Sequence, residues 1–154
     1  MPVIPNWYLG IDPGQSGGIA LVSSDKNAWA VKMPDTEANI WDVICEYCDR
    51  ASMALIEKVH SMPKQGVASS FKFGGGYGGL RMAMVAAGIP FDEVTPQKWQ
   101  KALGIVARNT KTESKSDHKK KMLAKAQQLF PGIKVTLATA DALLIAEYCR
   151  RVYA

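Results

Sequence analysis

Three acidic side chains lie at the ends of predicted buried elements, where burying a carboxylate lowers the stability of the folded state. Asp12 ends an apolar segment that we predict to be the first strand, just before the turn "PGQSGG". Glu57 ends the apolar run of another predicted strand, and Asp141 lies in the first turn of the predicted C-terminal helix. Asp is disfavoured in strands, and both acids are rarely buried without a partner. Their positions therefore suggest a shared chemical task.

Divalent metal binding is a task that would bring these three acids together. If the strands that carry Asp12 and Glu57 are neighbours and parallel, their carboxyl ends meet at one edge of the sheet. Grouped carboxylates repel one another, and Mg²⁺ relieves that repulsion because it prefers hard oxygen ligands. Two such ions can activate a water and stabilise the leaving oxygen of a phosphodiester. Each residue also has a simpler explanation: an Asx turn for Asp12, an ion pair for Glu57, or a helix N-terminus for Asp141.

The elements predicted around the acids are typical of an α/β fold. Short turns join three strands into a meander, and helices and strands then alternate, which predicts a mixed sheet. The glycine-rich stretch 60–79 is predicted to be a long loop, with a helix only at 80–87. The predicted strands are residues 7–11, 18–23, 27–33, 52–59 and 89–94. The other predicted helices are residues 39–50, 116–130 and 139–152, and one further helix is predicted to begin at Thr95 and Pro96.

The size, composition and charge of the chain narrow its class. Its 154 residues, 47% of them apolar, suit a single domain spanning 1–154. No apolar run has the length of a membrane span, and no secretion signal is visible, so we expect a cytoplasmic protein with no membrane partner. The net charge is +5, and residues 98–125 hold nine Lys or Arg against two acids. A basic segment of this kind suits a polyanion such as DNA, although a solvated helix face would have the same composition.

Several segments of the chain resemble one nuclease family. The stretches "LGIDPGQSGGIALV", "ALIEKVHSMP" and "ATADALLIAEY" resemble the three acidic motifs of RuvC-type Holliday junction resolvases, in the ribonuclease H-like superfamily. The segments "PKQGVASSFKFGGGYG", "VTPQKWQKALG" and "KSDHKKKMLAKAQQLFP" are similar to bacteriophage and chloroplast members, so the resemblance covers nearly the whole chain.

The resemblance implies a fold, an activity and a set of ligands. The fold would be ribonuclease H-like, with a mixed five-stranded sheet flanked by helices. A homodimer would nick a four-way DNA junction symmetrically by hydrolysis that depends on Mg²⁺ or Mn²⁺, with two ions in each active site. Asp12, Glu57 and Asp141 would be the catalytic metal ligands. Gly14, Gly17 and Gly18 would allow close backbone approach there. We expect the dimer contact around Leu80, Met82 and Met84.

Two positions depart from the family pattern. Many members carry an acid or a His three residues before the last Asp, where this chain has Ala138. Asp117 or His118 could complete the metal shell instead, or a water could. An aromatic residue often follows the Glu by three positions, and here it is replaced by His60, which can still stack on a base.

Basic and aromatic residues are candidates for DNA contact. Lys115 and Lys119 share a helix face, so either could stabilise charge on the scissile phosphate, and we predict both to be catalytic. Aromatic side chains in the glycine-rich stretch could stack on unpaired bases, and lysines around them could bind phosphates. The predicted DNA-binding residues are His60, Lys64, Phe71, Lys72, Phe73, Tyr77, Lys111 and Lys120.

Alternative functions remain open at this stage. The nuclease could act more broadly on flaps and replication forks, or the protein could bind junctions without cutting them. An ATPase of the actin and sugar-kinase fold also begins with Asp-x-Gly after a strand. That fold needs two such domains and well over twice this length, so we set it aside.

Overall fold

Five strands form one mixed sheet at the centre of the computed structural model, which describes residues 1–59 and 64–154. The strands are β1 (Trp7–Asp12), β2 (Gly18–Ser23), β3 (Ala28–Lys32), β4 (Ala51–Glu57) and β5 (Phe91–Val94). Their order across the sheet is β3-β2-β1-β4-β5. The first three form an antiparallel meander, while β4 runs parallel to both β1 and β5. The predicted α/β fold with a mixed five-stranded sheet is confirmed.

Helices cover both faces of this sheet. They are α1 (Glu37–Tyr47), α2 (Val67–Ala87), α3 (Pro96–Ala102), α4 (Lys115–Leu129) and α5 (Leu137–Tyr153). Side-chain oxygens of Thr36, Thr95 and Ser114 cap the first turns of α1, α3 and α4, which satisfies backbone N–H groups that have no partner within the helix. No helix in the described part of the chain is long and apolar enough to cross a membrane.

The two faces of the sheet carry separate cores because successive strand residues point in opposite directions. Tyr8 belongs to a cluster formed with α3, α4 and α5, whereas Leu9 belongs to a cluster formed with α1 and α2. α5 is the most deeply covered helix, since every residue from Thr139 to Cys149 is buried.

The backbone of α5 lies almost directly on β1 and β2. A Cβ atom at Gly10 would overlap the carbonyl oxygen of Ala142 and the amide nitrogen of Ala146. A Cβ at Gly18 would lie 2.7 Å from the carbonyl oxygen of Ala138. Glycines on the strands and alanines on the helix therefore allow an approach that larger side chains would prevent.

The glycine-rich segment is helical, and our prediction of a loop there was wrong. α2 begins at Val67 and continues through five glycines to Ala87, where Gly88 ends it in the left-handed conformation. Its inward positions recur at steps of three and four residues, which is the helical period. They are Ser70, Phe73, Tyr77, Leu80, Ala83, Met84 and Ala87.

The same helix corrects the expected dimer contact. Leu80 and Met84 are buried in the core of the chain itself, at 3% and 0% exposure, so they are not available to a partner. Met82 and Val85 lie on the outer side of α2, and both are exposed.

The close contact between α5 and the sheet predicts opposite effects for two Gly→Ala substitutions. Gly10→Ala should lower the free energy of unfolding by about 2–4 kcal/mol, because the methyl group would push α5 off the sheet. Gly75→Ala is the control, since a Cβ there meets nothing within 4 Å. It should raise stability by about 0.5–1 kcal/mol through helix propensity. Urea unfolding measures both, and a harmless Gly10→Ala would contradict the close contact.

Candidate active site

Asp12 and Glu57 lie side by side at the carboxyl ends of neighbouring strands. In the parallel pair β1 and β4, Ile11 lies opposite Ile56, so the next residue of each strand is one of the two acids. Asp12 is only 8% exposed, and Glu57 is half-buried. The turn after Asp12 is tight, since a Cβ at Gly17 would overlap the Asp12 carbonyl oxygen. The sheet thus fixes both backbones and presents the two carboxylates at one edge.

Asp141 reaches the same edge from α5. It is 8% exposed, and its Oδ2 atom accepts a hydrogen bond from Lys119 Nζ at 3.2 Å. Its other oxygen, Oδ1, is buried and has no hydrogen-bond partner among residues 1–59 and 64–154. A buried carboxylate oxygen without a donor is costly, so this atom is suited to accept a ligand.

Electrostatic coupling links the three acids. Burial, with repulsion from Asp141 and Glu57, raises the pKa of Asp12 to about 8. Burial also raises the pKa of Glu57 to about 7, although a hydrogen bond from Trp99 opposes the rise. Burial lowers the pKa of Lys119, but attraction to Asp141 and Asp12 outweighs it, so the pKa is raised overall. Negative charge is therefore concentrated here, and the Lys119 ammonium group only partly balances it.

The donor set of this cluster fits a hard divalent cation. Three carboxylates converge on the edge, and carboxylate oxygens are the ligands that Mg²⁺ prefers. Within the described residues, no three His, Cys, Asp or Glu side chains lie close enough together to hold a metal ion without first moving. Lys119 binds one oxygen of Asp141 and Trp99 binds one oxygen of Glu57. A cation would thus compete with Lys119 for Asp141.

The candidates for a fourth metal ligand lie elsewhere. His118 Nε2 is 3.1 Å from Gln100 Oε1, while its Nδ1 lies 3.4 Å from Glu113 Oε1 without a hydrogen bond within the described residues. Asp117 is an exposed residue of the first turn of α4. Ala138 lies at the start of α5, where its carbonyl oxygen faces Gly18. A replacement metal ligand at Asp117 or His118, or a water in its place, therefore stays a prediction.

Trp99 is a residue of the site that our sequence analysis did not identify. It is fully buried, and its indole Nε1 donates a 2.8 Å hydrogen bond to Glu57 Oε2. The two residues are far apart in sequence, so no local spacing connects them. The one available signal was a Trp in the helix that follows the neighbouring strand, because a buried indole N–H usually finds an acceptor.

A cleft of about 930 Å³ opens beside Glu57. Lys58, Lys64 and Lys115 line it, together with the ring of Phe73, which also touches the turn at Gly14. Three of the predicted DNA-contacting or catalytic residues thus border one cavity next to an acid. A groove with lysines on its walls and an aromatic ring suits a nucleic acid strand.

The remaining predicted DNA-binding residues are placed differently. Phe71 is 85% exposed, and Lys72 lies near it on a second cavity, of about 420 Å³, beside the β1–β2 turn. Tyr77 packs against the core under α2, near Glu93, so its ring does not offer a free surface for a base. Lys111 and Lys120 are exposed on the basic segment. The DNA contact predicted at His60 lies outside the described residues.

Comparison with solved structures finds proteins with the same fold. The chain is similar to Thermus thermophilus RuvC in complex with a Holliday junction substrate, with a TM-score of 0.63, 18% identity and 96% of each chain covered. The fold is that of RuvC. A second Thermus thermophilus RuvC structure matches with a TM-score of 0.59 and 18% identity, over 95% of this chain and 96% of that one. No family model and no curated protein matches the chain. The nearer likeness to phage and chloroplast RuvC-type proteins stays a prediction.

Mutual repulsion at the site predicts that Asp12→Asn stabilises the metal-free protein. The folded-state pKa of Asp12, about 8, lies above the unfolded value of 3.8, so the native state binds more protons and loses stability as pH rises between them. The gain from Asp12→Asn should be small near pH 4 and exceed about 2 kcal/mol at pH 8. Denaturant unfolding in EDTA across this range measures it.

The matched control is Asp42→Asn, which removes one carboxylate from the exposed side of α1. It should change stability by less than about 0.5 kcal/mol at every pH. If Asp12→Asn behaves like this control at pH 8, the acids are not coupled in the way described.

Proposed function

We propose that this chain is a metal-dependent endonuclease that nicks four-way DNA junctions in symmetric pairs. The observation that carries the proposal is the convergence of Asp12, Glu57 and Asp141 on one sheet edge, beside a cleft lined with lysines. The RuvC fold supports it, because one structure with this fold is described in complex with a Holliday junction substrate. The proposal treats 1–154 as one nuclease domain and includes the cytoplasmic location predicted from the sequence.

The three acids would bind two Mg²⁺ or Mn²⁺ ions in each active site. When bound, the ions would activate a water and stabilise the leaving oxygen of the phosphodiester. The residues themselves supply the rest: Asp12 and Glu57 are fixed by adjacent strands, and Asp141 offers the buried oxygen that lacks a donor within the described residues. The sheet and α5 thus fix the backbone of each acid, and cation binding would then require Lys119 to release Asp141 and the carboxylates to move closer together.

Lys119 has two tasks in this proposal. Without a bound cation, its ammonium group partly neutralises the three acids through Asp141. Half of its side chain is exposed, so it is free to turn toward an incoming phosphate once Asp141 has another partner. A lysine there would stabilise negative charge that develops on the scissile phosphate. Lys115, one helical turn earlier and on the cleft wall, would hold the DNA backbone beside Glu57.

DNA would enter along the cleft and continue over the basic segment. Lys64, Lys72, Lys111 and Lys120 would contact phosphates, while Phe71 and Phe73 offer rings for unpaired bases. A homodimer would place two such sites on one junction, and the exposed Met82 and Val85 of α2 would contribute to the contact between subunits.

A nicking assay on labelled DNAs in Mg²⁺ tests the activity. We expect paired symmetric nicks on an immobile four-way junction and none on linear duplex. Asp12→Asn should reduce cutting by at least about 10³-fold and leave junction binding intact, because it removes a ligand without adding repulsion. Normal turnover by this variant would contradict the metal site.

The other substrates in that assay separate the alternatives. Equal cutting of flaps and forks would indicate a general nuclease for branched DNA. Tight junction binding without cutting in Mg²⁺ or Mn²⁺ would favour a binding protein, with Ala138 as the residue that leaves the metal shell incomplete.

Lys119→Met should separate metal binding from turnover. It removes a cation that competes for Asp141, so calorimetry should show tighter Mg²⁺ binding than in the wild type, by about tenfold. The nicking rate at saturating Mg²⁺ should nevertheless fall about 10²-fold, because charge on the phosphate loses its partner.

Lys120→Met is the control for charge alone, since it removes one exposed lysine from the same helix. It should weaken junction binding, with a salt slope reduced by about one, and leave Mg²⁺ affinity unchanged. Weaker Mg²⁺ binding in Lys119→Met would overturn the competition between the lysine and the cation.

A further inference from the structure

The hydrogen bond between Trp99 and Glu57 joins the core to the sheet edge. Trp99 is 0% exposed and belongs to the core cluster that includes Tyr8, Leu55 and Leu103. Its Nε1 atom lies 2.8 Å from Glu57 Oε2. One end of this side chain is therefore held by packing, while its N–H group faces a carboxylate of the candidate active site.

The backbone around α3 fixes where this indole lies. Val94 of β5 lies opposite Glu57 of β4, and the next amide, that of Lys58, donates to the Val94 carbonyl oxygen at 2.7 Å. Thr95 then caps α3, and Pro96 begins it. The strand that holds Glu57 thus also determines the start of the helix that carries its donor.

An indole N–H has properties that suit it to hold a metal-binding carboxylate. It donates one hydrogen bond, accepts none and carries no charge, so it does not compete with a cation for position as an ammonium group does. The bond occupies one oxygen of Glu57 and restricts the rotamers of a long, flexible side chain before any cation binds. Carboxylates that bind metal are commonly hydrogen-bonded by a second residue in this way.

We infer that Trp99 is a positioning residue, which orients Glu57 so that its free oxygen faces the cation proposed above. This inference rests on the proposed function. Trp99 is fully buried, so it would act on the cation only through its hydrogen bond to Glu57. The loss of its N–H group should therefore weaken metal binding, whereas the chemical step at saturating metal should change little.

The test compares Trp99→Phe with Trp29→Phe. Trp29 packs on Tyr47 at 4.8 Å between ring centroids, in the cluster on the opposite face of the sheet, so it controls for the removal of an indole. Calorimetry should show that Trp99→Phe weakens Mg²⁺ binding about tenfold while Trp29→Phe leaves it unchanged. The nicking rate of Trp99→Phe should recover to within about threefold of the wild type when Mg²⁺ is saturating. Unchanged Mg²⁺ affinity in folded Trp99→Phe would overturn the inference.

A second measurement uses the wild-type protein and does not depend on the variant's stability. The variants Trp7→Phe, Trp29→Phe and Trp41→Phe assign three of the four indole N–H resonances and leave that of Trp99 by elimination, and all four can be followed by NMR during a Mg²⁺ titration of the wild type. The Trp99 resonance should shift at the Mg²⁺ concentration that saturates the calorimetric signal, and that of exposed Trp41 should not. A Trp99 resonance that stays still while Mg²⁺ binds would overturn the inference.

These readouts also distinguish a failure of the proposed function from a failure of the role assigned to Trp99. If the wild type binds Mg²⁺ but cuts no branched DNA, the proposed function fails while the role of Trp99 in metal binding can still hold. If the wild type cuts junctions and Trp99→Phe binds Mg²⁺ as tightly, only the role of Trp99 fails.

Discussion

The contact between the backbone of α5 and the sheet determines where the acids meet. Gly10 and Gly18 on the strands face Ala142, Ala146 and the start of α5, with no side chain between them. A helix this close to the sheet carries Asp141 down to the height of Asp12. Any larger side chain at these positions would raise the helix and withdraw one of the three carboxylates. Small residues here give up some buried apolar surface but keep Asp141 level with the other two acids.

The grouped acids place stability and function in opposition. Buried carboxylates that repel one another weaken the folded state, and the fold offsets this with one cation from α4 and one neutral donor from α3. Lys119 and Trp99 thus come from two helices that share a core with α5. Because sites tuned for chemistry are commonly strained in this way, substitutions that neutralise the acids are expected to stabilise the protein as they inactivate it.

Local signals made much of this structure predictable. The strand ends at Asp12 and Glu57 followed from apolar runs, and Thr95 followed from the common pairing of a capping residue with a proline. α2 was missed because its glycine content outweighed a narrow stripe of inward residues, such as Phe73, in our interpretation. Trp99 was missed for a different reason: its contact with Glu57 spans a long stretch of sequence, and only the assembled sheet brings the two together.

The glycines of α2 give that helix an unusual dependence on its surroundings. Five of the six residues from Gly74 to Gly79 are glycines, and each weakens a helix interior by about 1 kcal/mol relative to alanine. A peptide of this segment alone would be disordered in water. The helix therefore exists because Tyr77, Leu80 and Met84 are held by the core. Because α2 depends on these tertiary contacts, the helix should form late in folding, after the sheet has provided a surface for it.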